Sequence, residues 1–150
     1  DKFGLTYSTD NVILANSLIN NAGLGVFATK PIKKNQVISH YAGEVANKDI
    51  CRVLPQPFTT HIKTIFKGKG GDNLVGIQEP YPYCGVGSFV NSDNPANAKY
   101  LTSNDHKYVQ MLGTYKPRGQ VLSGANVVLI VAIRDIEMWE EITINYVYVA

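Results

Sequence analysis

Cysteine is scarce: Cys51 and Cys84 are the only two in 150 residues. Two thiols cannot build the multi-bridge framework of small secreted domains, and they fit an intracellular protein with free thiols. Histidine is nearly as sparse. His40, His61 and His106 lie far apart, without a paired Cys, Asp or Glu at ligand spacing, so no metal site is expected. No apolar run approaches the roughly 18 residues a membrane helix needs, and the chain has neither a signal-like start nor an Asn-x-Ser/Thr sequon. An excess of one charge is also missing. Fourteen Lys and Arg oppose 12 Asp and Glu, and a dispersed net charge of +2 makes no case for nucleic acid or an anionic membrane.

What remains is an ordinary globular composition, 45% hydrophobic and 17% charged, at a length that suits one domain with a proper core. Two features stand out. Tyrosines number nine against five phenylalanines, and each buried phenol needs a hydrogen-bond partner. Residues 85–98 run from an apolar pair, Phe89-Val90, into a polar corner of Asn91, Ser92, Asp93, Asn94, Pro95 and Asn97. Asn offers donors and an acceptor on a short side chain, so this corner reads either as a solvated turn or as an ordered polar site.

The remaining pattern is strand and turn. Candidate strands at residues 12–15, 26–28, 37–41, 59–66, 74–77, 98–102, 108–112 and 127–133 are separated by Gly, Pro and Asn signals. Residues 44–60 are predicted as a helical or irregular insert closed by Pro55 and Pro57. The run 127–133 is apolar throughout and expected to be central. The last strand alternates, placing Ile142, Ile144 and Tyr146 on one face and Thr143, Asn145 and Val147 on the other. Many short strands with little helix make the chain mostly β. An internal echo crosses it: Ala28-Thr29-Lys30-Pro31-Ile32 with Val37-Ile38 matches Ala132-Ile133-Arg134-Asp135-Ile136 with Glu141-Ile142 at a constant offset of 104. The echo predicts two similar strand–turn–strand units that pack together.

Several motifs fail on context. Gly23-Leu24-Gly25-Val26-Phe27-Ala28 fits a dinucleotide fingerprint, but Pro31 and β-branched residues leave no helix to face a pyrophosphate. Residues 67–71 lack the Gly-Lys-Ser/Thr ending of a phosphate loop and read as a hairpin tip. No Gly-x-Ser-x-Gly or Cys/His arrangement indicates a hydrolase. Four features taken together do better: Gly23-Leu24-Gly25, Tyr41-Ala42-Gly43-Glu44, the run Ser88 to Asn97, and Glu141-Ile142-Thr143-Ile144-Asn145-Tyr146. In this order they resemble the SET domain of protein lysine methyltransferases, over roughly residues 17–148. Glu79-Pro80-Tyr81 and the Tyr146/Tyr148 pair are similar to the branch that carries MORN repeats. The chain departs from the family at Ser88 (Arg), Ser92 (His), Asn94 (Cys) and Asn145 (Asp).

The resemblance implies a β-clip fold of several small sheets with a knot-like C-terminal crossing. It implies one domain over 1–150, with residues 1–16 as an N-terminal flank, 44–60 as a variable insert, and no cysteine-rich segment after it. It also implies methyl transfer from S-adenosylmethionine, without a metal, to a lysine of a protein or peptide substrate. Histones are among the candidates, in a nuclear, intracellular setting. Tyr146 is the implied catalytic hydroxyl. Gly23, Leu24, Gly25, Asn91, Ser92 and Tyr146 would contact the cofactor, and Tyr41, Tyr100 and Tyr148 would line the lysine channel. Read alone, a strand-end tyrosine is usually a packing residue, Tyr100 is equally a core residue, and Asn97 caps a turn as readily as it meets a ligand. Ser88, Ser92 and Asn145 leave open a second reading, a catalytically silent SET-like module that binds a peptide or protein partner.

Overall fold

The structure is a computed structural model and describes residues 6–9, 11–41, 43–46, 48–55, 62–64, 73–76, 85–101 and 128–146. In chain order the elements begin with strands β1 (Thr6–Thr9), β2 (Val12–Asn16), β3 (Leu24–Ala28), β4 (Val37–His40) and β5 (Gly43–Ala46), then helix α1 (Lys48–Val53). Strands β6 (Ile62–Thr64) and β7 (Asn73–Gly76), a 3-10 turn (Gly87–Phe89), β8 (Asn91–Ser92), β9 (Ala98–Leu101), β10 (Leu129–Ala132) and β11 (Glu141–Ile144) complete them. The predicted strand at 108–112, the hairpin tip at 67–71, residues 79–81, Cys84, His61, His106 and Tyr148 lie outside the described residues.

The mostly β expectation holds. Eight strands join in the order β1-β2-β3-β11-β9-β10-β4, with β8 also paired to β11, and β5-β7-β6 form a separate three-stranded sheet. β10 is an inner strand with all four side chains fully buried, as its unbroken apolar run requires. Leu129, Ile130 and Val131 each contribute about 1.5–3 kcal/mol on burial. α1 falls inside the predicted insert and stops before Pro55, whose ring excludes a helical residue in front of it.

β11 joins two halves of the long sheet. Its first residues pair antiparallel with β3 (Glu141 opposite Phe27, Ile142 opposite Val26). Its last pair parallel with β8 (Thr143 opposite Asn91, Ile144 opposite Ser92), and Ile144 also faces Ala98 of β9. All four β11 side chains are buried, so both faces of the alternating strand are covered, and the strand ends before Tyr146, which lies in a turn beyond it.

The 104-residue echo has a physical counterpart. Ile32 and Ile136, equivalent positions, exchange both backbone hydrogen bonds (2.9 and 2.7 Å). The bond from Asn35 N–H to the Ala132 carbonyl (2.8 Å) is mirrored by Trp139 N–H to Ala28 (2.7 Å), and Ala132 N–H to Gln36 (3.0 Å) by Ala28 N–H to Glu140 (3.0 Å). Gln36 Oε1 accepts from Lys33 N–H as Glu140 Oε1 accepts from Glu137 N–H. Both turns pass through left-handed backbone at the same place, Asn35 at φ 73° and Trp139 at φ 68°. Each unit's second strand pairs with the other unit's first: β4 with β10, and β11 with β3. The two units are interlocked rather than merely adjacent.

Candidate functional site

The first half of the site is built around the connection from β2 to β3. Ser17 N–H donates to the Gly23 carbonyl at 2.7 Å, closing a loop that passes through left-handed backbone at Asn21 (φ 62°) and Gly23 (φ 72°). Gly23 is exposed, and a Cβ built on it would meet nothing within 4 Å, so its backbone borders open space. Gly25 is the opposite case. A methyl there would sit 2.5 Å from Glu141 Oε2 and 3.1 Å from Ser17 Cβ, so glycine is required for the carboxylate to lie across the strand.

That carboxylate organises its surroundings. Glu141, 9% exposed, accepts from Ser17 Oγ (2.7 Å), Leu18 N–H (2.9 Å) and Asn91 Nδ2 (3.3 Å). Asn91 Nδ2 also donates to the Leu24 carbonyl at 2.9 Å. Both neighbours of that nitrogen are pure acceptors, so the amide cannot be turned over. Among the described residues no Lys or Arg pairs with Glu141, and its three partners are neutral.

The second half is aromatic. Tyr41 follows β4 directly and is buried; its ring meets Tyr100 of β9 edge to face, with centroids 6.1 Å apart and planes at 71°. A Cβ on Gly76 of β7 would lie 2.9 Å from the Tyr41 hydroxyl and 2.7 Å from Ser88 Cβ, so the absence of a side chain there lets β7 close against the tyrosine. Burial pushes the pKa of Tyr41 upward, and a charge on Tyr146 would raise it further. Tyr100 is shifted the same way by burial, then by Tyr146 and Tyr41. The electrostatic coupling brings all three phenols into one neighbourhood. Tyr146 is also shifted upward by burial, although the residue as a whole is half-exposed.

Tyr146 joins the two halves. Its hydroxyl donates to the Val90 carbonyl and its N–H to Ser92 Oγ at 3.1 Å. Beneath it Asn97, 2% exposed, clamps β11: Nδ2 donates to the Glu141 carbonyl (2.7 Å) and Oδ1 accepts from Thr143 N–H (2.8 Å). Asn97 is committed to the backbone of β11. Leu24 with Asn91, Ser92 with Tyr146, and Tyr41 with Tyr100 are in direct contact, whereas Tyr148 is outside the described residues. Sequence reasoning gave no role to Glu141, Ser17 or the Val90 carbonyl. Glu141 carried a signal, its place in the motif beside Tyr146; Ser17 and Val90 carried none. Among the described residues no three His, Cys, Asp or Glu side chains could hold a metal ion, and no helix is long and apolar enough to cross a membrane.

Comparison with known proteins identifies the family model and the fold that this chain resembles. A family model described as the SET domain matches residues 23–147. The chain superposes on the crystal structure of a Plasmodium falciparum protein designated a candidate histone methyltransferase, with a TM-score of 0.60 and 20% identity, covering 95% of this chain and 97% of that one. At that identity the likeness is one of fold. No curated protein sequence matches.

Proposed function

The chain belongs to the SET-domain family, and we propose that it transfers a methyl group from S-adenosylmethionine to a lysine side chain of a protein or peptide substrate. The observation that carries this reading is the junction at Tyr146. One residue touches the corner around Asn91 and Ser92 through its backbone and Val90 through its hydroxyl, and lies within electrostatic reach of Tyr41 and Tyr100. The chemistry of the first half suits this cofactor. Both N–H groups of Asn91 are committed, which leaves its Oδ1 to accept, and the buried carboxylate beside it has no cationic partner among the described residues, an arrangement that favours a cationic ligand.

S-adenosylmethionine supplies the methyl group as an electrophile already carrying positive charge. The chain supplies alignment and a dry site. A free lysine has a pKa near 10.4, so presenting its neutral amine at pH 7 costs about 4–5 kcal/mol. A pocket walled by Tyr41 and Tyr100 disfavours the ammonium form by desolvation. The Tyr146 hydroxyl has committed its proton to Val90, which leaves its oxygen lone pairs to accept from the amine and orient it. Gly23, Leu24 and Gly25 offer backbone to the cofactor, and Ser92 holds the turn that carries Tyr146. Histones, and hence a nuclear setting, are the substrate class we favour, by analogy with the Plasmodium protein.

A radiolabelled-methyl assay against histones and cell extract tests the reading. Tyr146→Phe is expected to lower transfer by about 100-fold or more while S-adenosylhomocysteine binding changes less than about threefold. Full transfer by the variant removes Tyr146 from the mechanism. Wild-type protein that binds peptide but transfers nothing is a silent module instead.

A further inference from the structure

Glu141 is more than a strand residue. Resting on the cofactor reading above, we infer that Glu141 is a positioning residue that fixes the Asn91 amide so that its Oδ1 receives the α-ammonium group of the cofactor's amino-acid end. Three observations carry this. Both Asn91 N–H groups are committed, to Leu24 O at 2.9 Å and Glu141 Oε2 at 3.3 Å, so the side chain presents an acceptor and nothing else. The same Oε2 is held by Ser17 Oγ at 2.7 Å and Oε1 by Leu18 N–H at 2.9 Å, so the carboxylate cannot follow the amide if it turns. Gly25 leaves room for that carboxylate and for nothing larger than its own hydrogen.

An acceptor backed by a buried negative charge selects a charged donor over a neutral one. The adenine amine and the ribose hydroxyls are neutral; the α-ammonium is the cationic donor that S-adenosylmethionine and S-adenosylhomocysteine share. The glutamate acts through Asn91 and touches no reacting atom. Replacing it with glutamine keeps the shape but sets a second NH2 where Oε2 stood. Ser17 can adjust, because a hydroxyl both donates and accepts, whereas the Asn91 NH2 then faces another donor and swings away.

Calorimetry with two ligands isolates the effect: S-adenosylhomocysteine and its analogue lacking only the α-amino group. Glu141→Gln is expected to weaken the first about tenfold or more and the second less than about twofold, with circular dichroism and Tm near wild type. Asn91→Ala should show the same selectivity, and the double variant should be no worse than either single one. Should Glu141→Gln fail to fold, Ser17→Ala loosens the carboxylate from the loop side and is expected to give a smaller loss, roughly threefold, again confined to the amine-bearing ligand. Equal loss for both ligands, or unchanged S-adenosylhomocysteine affinity, overturns the inference while leaving methyl transfer intact as a reading. Wild-type protein that binds neither ligand overturns the cofactor reading, and this inference with it.

Discussion

Replacing Asn97 with alanine should cost more stability than any exposed substitution, and the structure says how much. The side chain makes two buried bonds to β11, donating to Glu141 O at 2.7 Å and accepting from Thr143 N–H at 2.8 Å. Alanine orphans both groups at a site that is 2% exposed. An unpaired buried N–H costs about 1–3 kcal/mol, and a carbonyl with a second lone pair somewhat less. The third bond, to Glu140 Oε2 at 3.3 Å, lies nearer the surface and adds only tenths. The expected loss is about 3–4 kcal/mol, a large share of the 5–15 kcal/mol typical of a domain, and a fall in Tm of roughly 10 °C.

Urea titration followed by tryptophan fluorescence and circular dichroism would measure it, with an unchanged m-value as the sign that the native state still packs. Asn97→Asp separates hydrogen bonding from shape. It preserves the acceptor for Thr143 but loses both donors and brings a second carboxylate toward Glu140. Its deficit should therefore match or exceed that of alanine at pH 7 and shrink as the pH falls through the carboxylate range. An alanine variant within about 1 kcal/mol of wild type would refute the reasoning, because it would mean that β11 finds its pairing without the clamp.

Trp139 predicts a gain instead. It is 61% exposed, at φ 68°, where a bulky L-residue pays about 1–2 kcal/mol and its equivalent Asn35 pays little. Trp139→Asn, which removes the single tryptophan, should raise stability by up to about 1 kcal/mol in a urea titration followed by circular dichroism alone, and a loss would show that the indole packs on something. The alkaline limb of stability follows from the phenols. Tyr41, Tyr100 and Tyr146 have folded pKa values raised above the unfolded value near 10. Above that pH the folded state binds more protons than the unfolded one, so stability is full below about pH 10 and falls as pH rises toward the folded values. Phenolate absorbance should show Tyr41 and Tyr100 ionising only with unfolding, and Tyr146 later than a free tyrosine. Free titration of all nine near pH 10 in the native state contradicts this.

What could be read from the chain depended on whether the signal was local. β10 was legible because a run of Leu129, Ile130 and Val131 with no polar face can only be an inner strand. The echo was legible because the same pattern recurs, whereas the reason for Gly25, a carboxylate from a residue 116 positions later lying across it, was not. β8 was not. Two residues paired in parallel with β11 have no periodicity, and their partners lie 52 positions away (Asn91 to Thr143). The role of Glu141 was equally hidden. Its neighbour Ser17 stands 124 residues earlier, in a loop whose composition reads as an ordinary turn. Asn97 shows the limit most plainly: the same residue type serves turns, ligands and buried clamps, and only its two backbone partners distinguish them.

The interlocked units also explain why the candidate site forms where it does. β4 and β11 are equivalent strands, each the second of its unit, and each is paired to the first strand of the other. Tyr41 comes immediately after β4, and Tyr146 follows two residues after β11. The exchange of strands thus delivers one tyrosine from each unit into a shared neighbourhood, with Tyr100 of β9 contributing the third ring. The symmetry breaks at the tyrosines: at the 104-residue offset Tyr41 matches Asn145, so the second tyrosine comes one residue later. His40 is buried between Tyr41 and the backbone of Gly85 and Gly87, whereas Asn145 is half-buried and precedes a turn. Tyr41 is therefore locked into a wall, while Tyr146 reaches out to Val90 and Ser92. A fixed ring and a ring set on a turn are what the proposed lysine channel with one aligning hydroxyl requires. The fold obtains both from two copies of one strand–turn–strand pattern by changing how the second strand ends.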